Sequence, residues 1–175
     1  MEGHERIAFF SDGVAPCKKL LYLVSSYTMS GDITKQTADL APPADGKWAV
    51  VCVDDDPYVL QMLSLQMKDL LNWERVLLEL LTDPTQTIGR IDHLLQQGYQ
   101  IRCVITDYRM PQMTGYELIY ALKTTHPAIP CVLLSGQADK FEVRELLHTG
   151  LITSFINKPW TLTDLKTALQ ETITG

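Results

Sequence analysis

The sequence predicts an α/β fold built on a parallel sheet, and three observations carry that expectation. From Lys47 onward, apolar runs of strand length alternate with segments whose apolar residues recur at helical spacing. The runs are nearly continuous in Val, Ile, Leu and Cys, as strands are when helices cover both faces of a sheet. The strand-then-helix unit repeats five times up to Gly175. This divides the chain into an N-terminal extension, residues 1–46, and a folded unit, residues 47–175.

Each element has its own signal. Trp48 to Val53 is the first strand; it stops at Asp54, Asp55 and Asp56, and Pro57 suits the first turn of a helix, where its missing N–H costs nothing. Leu60, Leu63, Met67, Leu70 and Leu71 give that helix its buried stripe. Val76 to Leu81 reads as the second strand, although so leucine-rich a run also suits a helix. Thr85 or Thr87 caps the next helix, which buries Ile88, Ile91, Leu94 and Leu95 before Gly98 ends it. Ile101 to Thr106 is the third strand and leads into Asp107. Thr114 and Glu117 form a capping-box pattern ahead of Leu118, Ile119 and Leu122. Ile129 to Leu134 is the fourth strand, leading into Ser135. Asp139 with Glu142 repeats the capping pattern for a helix that carries Val143, Leu146 and Leu147 up to Gly150. Leu151 to Ile156 is the fifth strand, ending near Lys158 and Pro159, and Thr161 with Asp164 opens the last helix.

Composition narrows the function classes. With 15 Lys plus Arg against 21 Asp plus Glu, the formal charge is −6, which lacks the basic footprint that phosphate backbones require, so direct nucleic-acid binding is not expected. No apolar run approaches the roughly 20 residues that span a bilayer. Lys18 and Lys19 precede an apolar core, Leu20 to Val24, too short for a signal peptide, so the expected location is cytoplasmic. Cys52, Cys103 and Cys131 each lie inside an apolar run and read as small buried hydrophobes. No CxxC or Cys/His spacing points to zinc. The extension ends in Ala41-Pro42-Pro43-Ala44-Asp45-Gly46, a linker composition, and within it only Lys18 to Tyr27 suits a short helix or strand.

The chemistry sits where the strands end. In open parallel sheets ligands bind outside the carboxyl ends of the strands, and here those ends carry Asp54, Asp55 and Asp56, then Asp107, then Ser135, then Lys158. Carboxylates converging on one crevice repel each other unless a cation joins them, and an all-oxygen cage suits a hard divalent ion such as Mg2+. One aspartate is left free as a nucleophile, and a carboxylate attacking phosphorus gives an aspartyl phosphate. Ser135 and Lys158 supply a hydroxyl and an ammonium for the phosphoryl oxygens.

The segments 51–57 (VCVDDDP), 104–115 (VITDYRMPQMTG), 132–137 (VLLSGQ) and 155–160 (FINKPW) resemble, in order and spacing, the receiver domains of two-component response regulators. The resemblance covers residues 47–175. It implies a doubly wound, flavodoxin-like (βα)5 fold whose five parallel strands run in the order 2-1-3-4-5. It implies that Asp107 is the phosphoacceptor, that Asp54 and Asp55 hold Mg2+ with it, and that the backbone carbonyl of Arg109 completes the protein ligands. Ser135 matches the hydroxyl that moves to the phosphoryl group, Lys158 the family's lysine before a typically cis proline, and Phe155 the aromatic switch that turns inward on activation. Tyr108, Arg109 and Gln137 occupy positions that tune hydrolysis of the acyl phosphate. The implied partners are a sensor histidine kinase or phosphotransfer protein as donor, a downstream protein or output domain, and a second copy in a homodimer. The implied role is phosphoacceptor, not turnover enzyme.

Two other readings compete. A receiver can serve as a phosphorylation-independent binding module, although this chain keeps the whole residue set that degenerate receivers lose in part. Haloacid-dehalogenase-like phosphohydrolases also use an aspartyl phosphate with Mg2+. Their nucleophile follows the first strand in an Asp-x-Asp-x-Thr pattern, whereas here Pro57 and Tyr58 follow the acidic run and the nucleophile candidate comes two strands later.

Overall fold

The computed structural model describes residues 46–71, 76–136 and 140–173. Apart from Gly46, the extension expected over residues 1–46, with its short element at Lys18 to Tyr27, lies outside the described residues, as do Gln137 and the cap expected at Asp139. The elements are β1 (Lys47–Val53), α1 (Pro57–Lys68), β2 (Val76–Leu81), a 3-10 turn (Pro84–Gln86), α2 (Thr87–Gln96), β3 (Tyr99–Asp107), α3 (Gly115–Thr125), β4 (Cys131–Ser135), α4 (Lys140–His148), β5 (Ser154–Asn157) and α5 (Leu162–Ile173). All neighbouring strands pair in parallel, in the order β2-β1-β3-β4-β5. This is the flavodoxin-like sheet that the family resemblance implied.

The two faces of the sheet are filled by alternate residues of the same strands. Val50, Cys52, Ile105, Val132, Leu134 and Ile156 face α1 and α5, where Leu60, Leu63, Met67, Leu165 and Leu169 meet them. Ala49, Val51, Val53, Val104, Cys131 and Leu133 face the other way, against Ile91 and Leu94 of α2, Leu118, Ile119 and Leu122 of α3, and Val143 and Leu146 of α4. Near-continuous apolarity is what a sheet covered on both faces requires. Each fully buried leucine contributes about 2 kcal/mol. The register keeps this alternation across one irregularity: Ala49 pairs with Ile101 and Val50 with Cys103, so Arg102 bulges out of the ladder. Its guanidinium lies 4.4 Å from the centre of the Trp48 ring.

Cys52, Cys103 and Cys131 are free and buried. Burial pushes the Cys131 thiol up to about 11 and the Cys103 thiol to about 12, so these sulfurs stay protonated and serve packing.

Several expectations are corrected. The first helix stops at Lys68, and Leu70 and Leu71 are buried in the turn that follows. Neither Thr85 nor Thr87 caps α2, whose N-cap residue, Gln86, makes no side-chain cap bond; Asp83 instead caps the 3-10 turn before it, its carboxylate accepting the Thr85 N–H at 2.9 Å and the Thr85 hydroxyl at 2.6 Å. Thr87 is buried inside the helix. Leu95 and Leu147 are exposed. The fourth strand begins at Cys131, not Ile129, because Pro130 has no N–H to give the ladder; its carbonyl still accepts the Val104 N–H at 2.9 Å. The fifth strand begins at Ser154, not Leu151. Gly150 takes φ +72 to end α4, the Ile152 N–H then returns to the Leu146 carbonyl at 3.2 Å, and the buried Ile152 side chain closes the helix end. The capping box at Thr114 and Glu117 forms as expected.

Candidate functional site

The three aspartates after β1 go to three different places. Asp54 is buried beside the strand end, with its N–H on the Leu81 carbonyl at 3.2 Å. Its Oδ1 accepts the Asp56 N–H at 2.9 Å and its Oδ2 accepts Lys158 Nζ at 2.7 Å. Asp56 caps α1, its carboxylate taking the Tyr58 N–H at 2.8 Å. Asp55 is exposed.

Asp107 is the last residue of β3 and is buried. One oxygen, Oδ2, accepts the Arg109 N–H at 2.6 Å. The other, Oδ1, is ion-paired with Lys158. One ammonium therefore joins two buried carboxylates that stand 53 residues apart in the chain, since they lie at positions 54 and 107.

Lys158 directly follows β5, and its N–H bonds the Ser135 carbonyl at 3.0 Å. Ser135, also buried, ends β4 opposite Asn157 in the register. The ends of β1, β3, β4 and β5 thus bring Asp54, Asp107, Ser135 and Lys158 to one edge of the sheet.

The electrostatics follow from burial. Burial opposes the charge on Lys158, but the hydrogen bonds to Asp107 and Asp54 outweigh it and hold the amine above the ordinary lysine range. Burial raises Asp54 above the usual carboxylate range, aided by the negative Asp107; Lys158 and the Asp56 N–H offset only part of this. With both carboxylates ionised, the cluster carries two negative charges against one positive.

That imbalance is the test for an implied Mg2+. The donors are carboxylate oxygens, the chemistry a hard cation takes while keeping several of its waters. Among the described residues no three His, Cys, Asp or Glu side chains are drawn together as a finished metal cage. The donor set fits a cation held by Asp54 and Asp107 with water, and Asp55 and the Arg109 carbonyl stand next to these two in the chain.

Backbone packing fixes Asp107 at the end of β3. Tyr108 donates its N–H to the Leu134 carbonyl at 3.0 Å and accepts the Gly115 N–H at 2.9 Å, which brings the start of α3 against the end of β3. A Cβ on Gly115 would lie 2.1 Å from the Asp107 carbonyl oxygen. Glycine is needed there for close approach, not for an unusual φ.

Phe155 stands apart from the carboxylates. It pairs with Leu133, two positions before the strand end, is half-buried against the α2–α4 side of the sheet, and lines an open groove of about 610 Å³ with Val143, Leu147 and Glu171. Two contacts were not foreseen. Trp160 packs against the core on the α1 and α5 side, and its indole N–H donates to Gln66 Oε1 at 2.6 Å. Arg90 and Glu79 form a bidentate pair at 2.8 and 3.0 Å. The tryptophan beside the lysine motif was the available signal for the first; the second had none beyond opposite charge.

Among the described residues no helix is long and apolar enough to cross a membrane. Comparison with known proteins gives one consistent answer. The response regulator receiver domain family matches residues 50–170. A two-component response regulator of Oryza sativa subsp. japonica is 29% identical over 119 residues, 65% of this chain and 50% of that protein. A chemotaxis protein CheY homolog of Campylobacter jejuni is 29% identical over 82 residues, 46% of this chain and 62% of that protein. The chain thus spans about half the length of the first of these curated relatives. Among solved structures, the signal receiver domain of an HD domain-containing protein from Pseudomonas fluorescens superposes with TM-score 0.60 at 25% identity, over 73% of this chain and 95% of that one. Chemotaxis protein CheY4 of Vibrio cholerae superposes with TM-score 0.59 at 23% identity, over 73% and 99%, a likeness of fold.

Proposed function

Because the chain belongs to the response regulator receiver domain family, we propose that it accepts a phosphoryl group from a phosphohistidine donor onto Asp107 and that the acyl phosphate changes its protein contacts. The observation that carries this reading is the single buried cluster in which Lys158 bridges Asp54 and Asp107. Residues 47–175 form the receiver unit, with residues 1–46 as an extension to it.

Asp107 is oriented before it reacts. The Arg109 N–H holds Oδ2, which leaves Oδ1, on the Lys158 side, as the nucleophile. Oδ1 attacks phosphorus, the P–N bond of the donor histidine breaks as the P–O bond forms, and the bonding pair stays on the imidazole nitrogen, which takes a proton. Lys158 follows the negative charge from the carboxylate to the phosphoryl oxygens, and the Ser135 hydroxyl donates to one of them. Mg2+, held by Asp54, Asp55, Asp107 and the Arg109 carbonyl, supplies further charge neutralisation when bound. Asp107 is consumed and regenerated on the protein itself, so the chain acts as a cytoplasmic phosphoacceptor and not as an enzyme on a released substrate.

The readout is a contact surface. Ser135 ends β4 next to β5, and Phe155 lies on β5 at the groove between α4 and α5. Movement of Ser135 toward the phosphoryl group frees space into which Phe155 turns, altering the face offered to a downstream protein, an output domain or a second copy.

Intact mass after incubation with magnesium and acetyl phosphate tests the reading. One labile phosphoryl adduct on the wild type, absent from Asp107→Asn, is the expected result. An unmodified wild type, with downstream binding that ignores phosphodonor, would replace this reading by the phosphorylation-independent binding module.

A further inference from the structure

The contact between Gln66 and Trp160 closes a ring around the site, and we propose that these two side chains are positioning residues for Lys158. The inference rests on the phosphoacceptor reading above. Lys158 Nζ meets Asp54 Oδ2 at 2.7 Å. Asp54 Oδ1 holds the Asp56 N–H at 2.9 Å, and Asp56 caps α1. Ten residues on, a rise of about 15 Å along the helix, Gln66 accepts the Trp160 indole N–H at 2.6 Å. Trp160 lies two residues beyond Lys158, so the path returns to its start. α1 is the rigid strut of this ring.

The ring matters because of what a lysine is. Its ammonium is a point charge on a flexible four-carbon stem, and here one ammonium must serve two carboxylates and then follow charge to a phosphoryl group. Its reach is set by where the backbone at 158 is held. The loop is fixed upstream by the Lys158 N–H on the Ser135 carbonyl at 3.0 Å. Downstream it is fixed by the Thr161 N–H on Asp164 Oδ2 at 2.8 Å, at the start of α5. Between these anchors the half-buried indole of Trp160 sits on the core and is tied to α1. The hydrogen bond between Gln66 and Trp160 involves neither carboxylate, and the pair acts through Lys158.

The experiment uses the whole chain. Trp160→Phe keeps the ring packing and removes the donor, Gln66→Leu removes the acceptor, and Gln66→Glu keeps one. The expected result is that Trp160→Phe and Gln66→Leu each slow adduct formation from acetyl phosphate about fivefold, the size of one lost hydrogen bond. The double variant should be no slower than either single, and Gln66→Glu should stay within about twofold of wild type. Additive losses, or single variants that lower the urea midpoint while forming adduct at the wild-type rate, would overturn the proposal and leave a purely structural contact. A second readout needs no phosphorylation. The Trp160 indole N–H resonance, identified by its loss in Trp160→Phe, should shift in Lys158→Met and should no longer respond to that change once Gln66 is Leu. If the wild type forms no adduct, the phosphoacceptor reading fails while this resonance still decides the ring: a shift supports it, and an unmoved indole signal refutes it.

Discussion

Two part-buried ion-pair groups among the described residues have similar distances and different charge balance. Glu79 on β2 and Arg90 on α2 are eleven residues apart and meet in two parallel hydrogen bonds, one cation to one anion. Lys158 meets two carboxylates at the ends of β1 and β3, one cation to two anions. A matched, bidentate pair between neighbouring elements is complete as it stands and holds α2 to the sheet edge. The two carboxylates are one positive charge short of balance, the deficit on which the proposed cation site rests. The difference teaches that charge balance, more than distance, separates the matched Glu79–Arg90 pair from the proposed phosphoacceptor cluster.

Removing the cation from each pair should give the largest contrast. Lys158→Met leaves two facing buried carboxylates and should cost about 3 kcal/mol at neutral pH by urea unfolding. Arg90→Met should cost only about 1 kcal/mol, because Arg90 is a third exposed and water replaces part of what is lost. Equal losses would erase the distinction. Next in size is Gly115→Ala: a methyl 2.1 Å from the Asp107 carbonyl forces β3 and α3 apart, and about 2 to 3 kcal/mol of stability should disappear. Adduct formation by the surviving folded protein should fall at least tenfold.

Magnesium sharpens the comparison from the other side. At a concentration well above its dissociation constant it should stabilise the wild type by about 1 to 2 kcal/mol through mass action and should leave Asp54→Asn unmoved. Thermal melts with and without the ion read this directly. Neutralising one carboxylate at a time should then give effects of about 1 kcal/mol with opposite signs. Asp107→Asn leaves one anion for one cation and should raise stability, while Glu79→Gln breaks a balanced pair and should lower it.

The smallest expected effect is in the pH profile. Lys158 is held above its ordinary pKa by the two carboxylates, so its contribution is complete below the unfolded lysine value and fades as pH rises through the folded one. The alkaline limb of stability should be steeper for the wild type than for Lys158→Met. Asp54 is raised by burial, so the folded state holds its proton more tightly than the unfolded chain, and this group makes stability decline as pH rises from about 4 through its folded pKa.

Much of this was legible before any coordinates. The parallel sheet showed because both of its faces are buried, which leaves runs such as Val50 to Val53 without polar interruption, and the site showed because four of the five runs, all but the second, end in a group capable of chemistry. Strand starts were harder. Ile129, Leu151 and Ile152 are as apolar as any strand residue, yet Ile129 precedes a proline and Ile152 closes the end of α4. Apolarity reports burial and not hydrogen bonding. Side-chain choices across long separations were not legible either: nothing local says that Lys158 divides itself between two aspartates, or that Trp160 reaches Gln66 rather than α5. Those follow from the sheet order, which sets β1 beside β3, and from the residues after β5, which return from beyond β4 to the ends of both strands.

The central assignment is that Asp107, and not one of the aspartates after β1, carries the phosphoryl group. Borohydride reduction of the acetyl-phosphate-treated protein converts an aspartyl phosphate to homoserine, and peptide mass mapping then locates it. Homoserine at position 107 alone is the expected result. Homoserine at position 54, 55 or 56, with position 107 unchanged, would contradict the account.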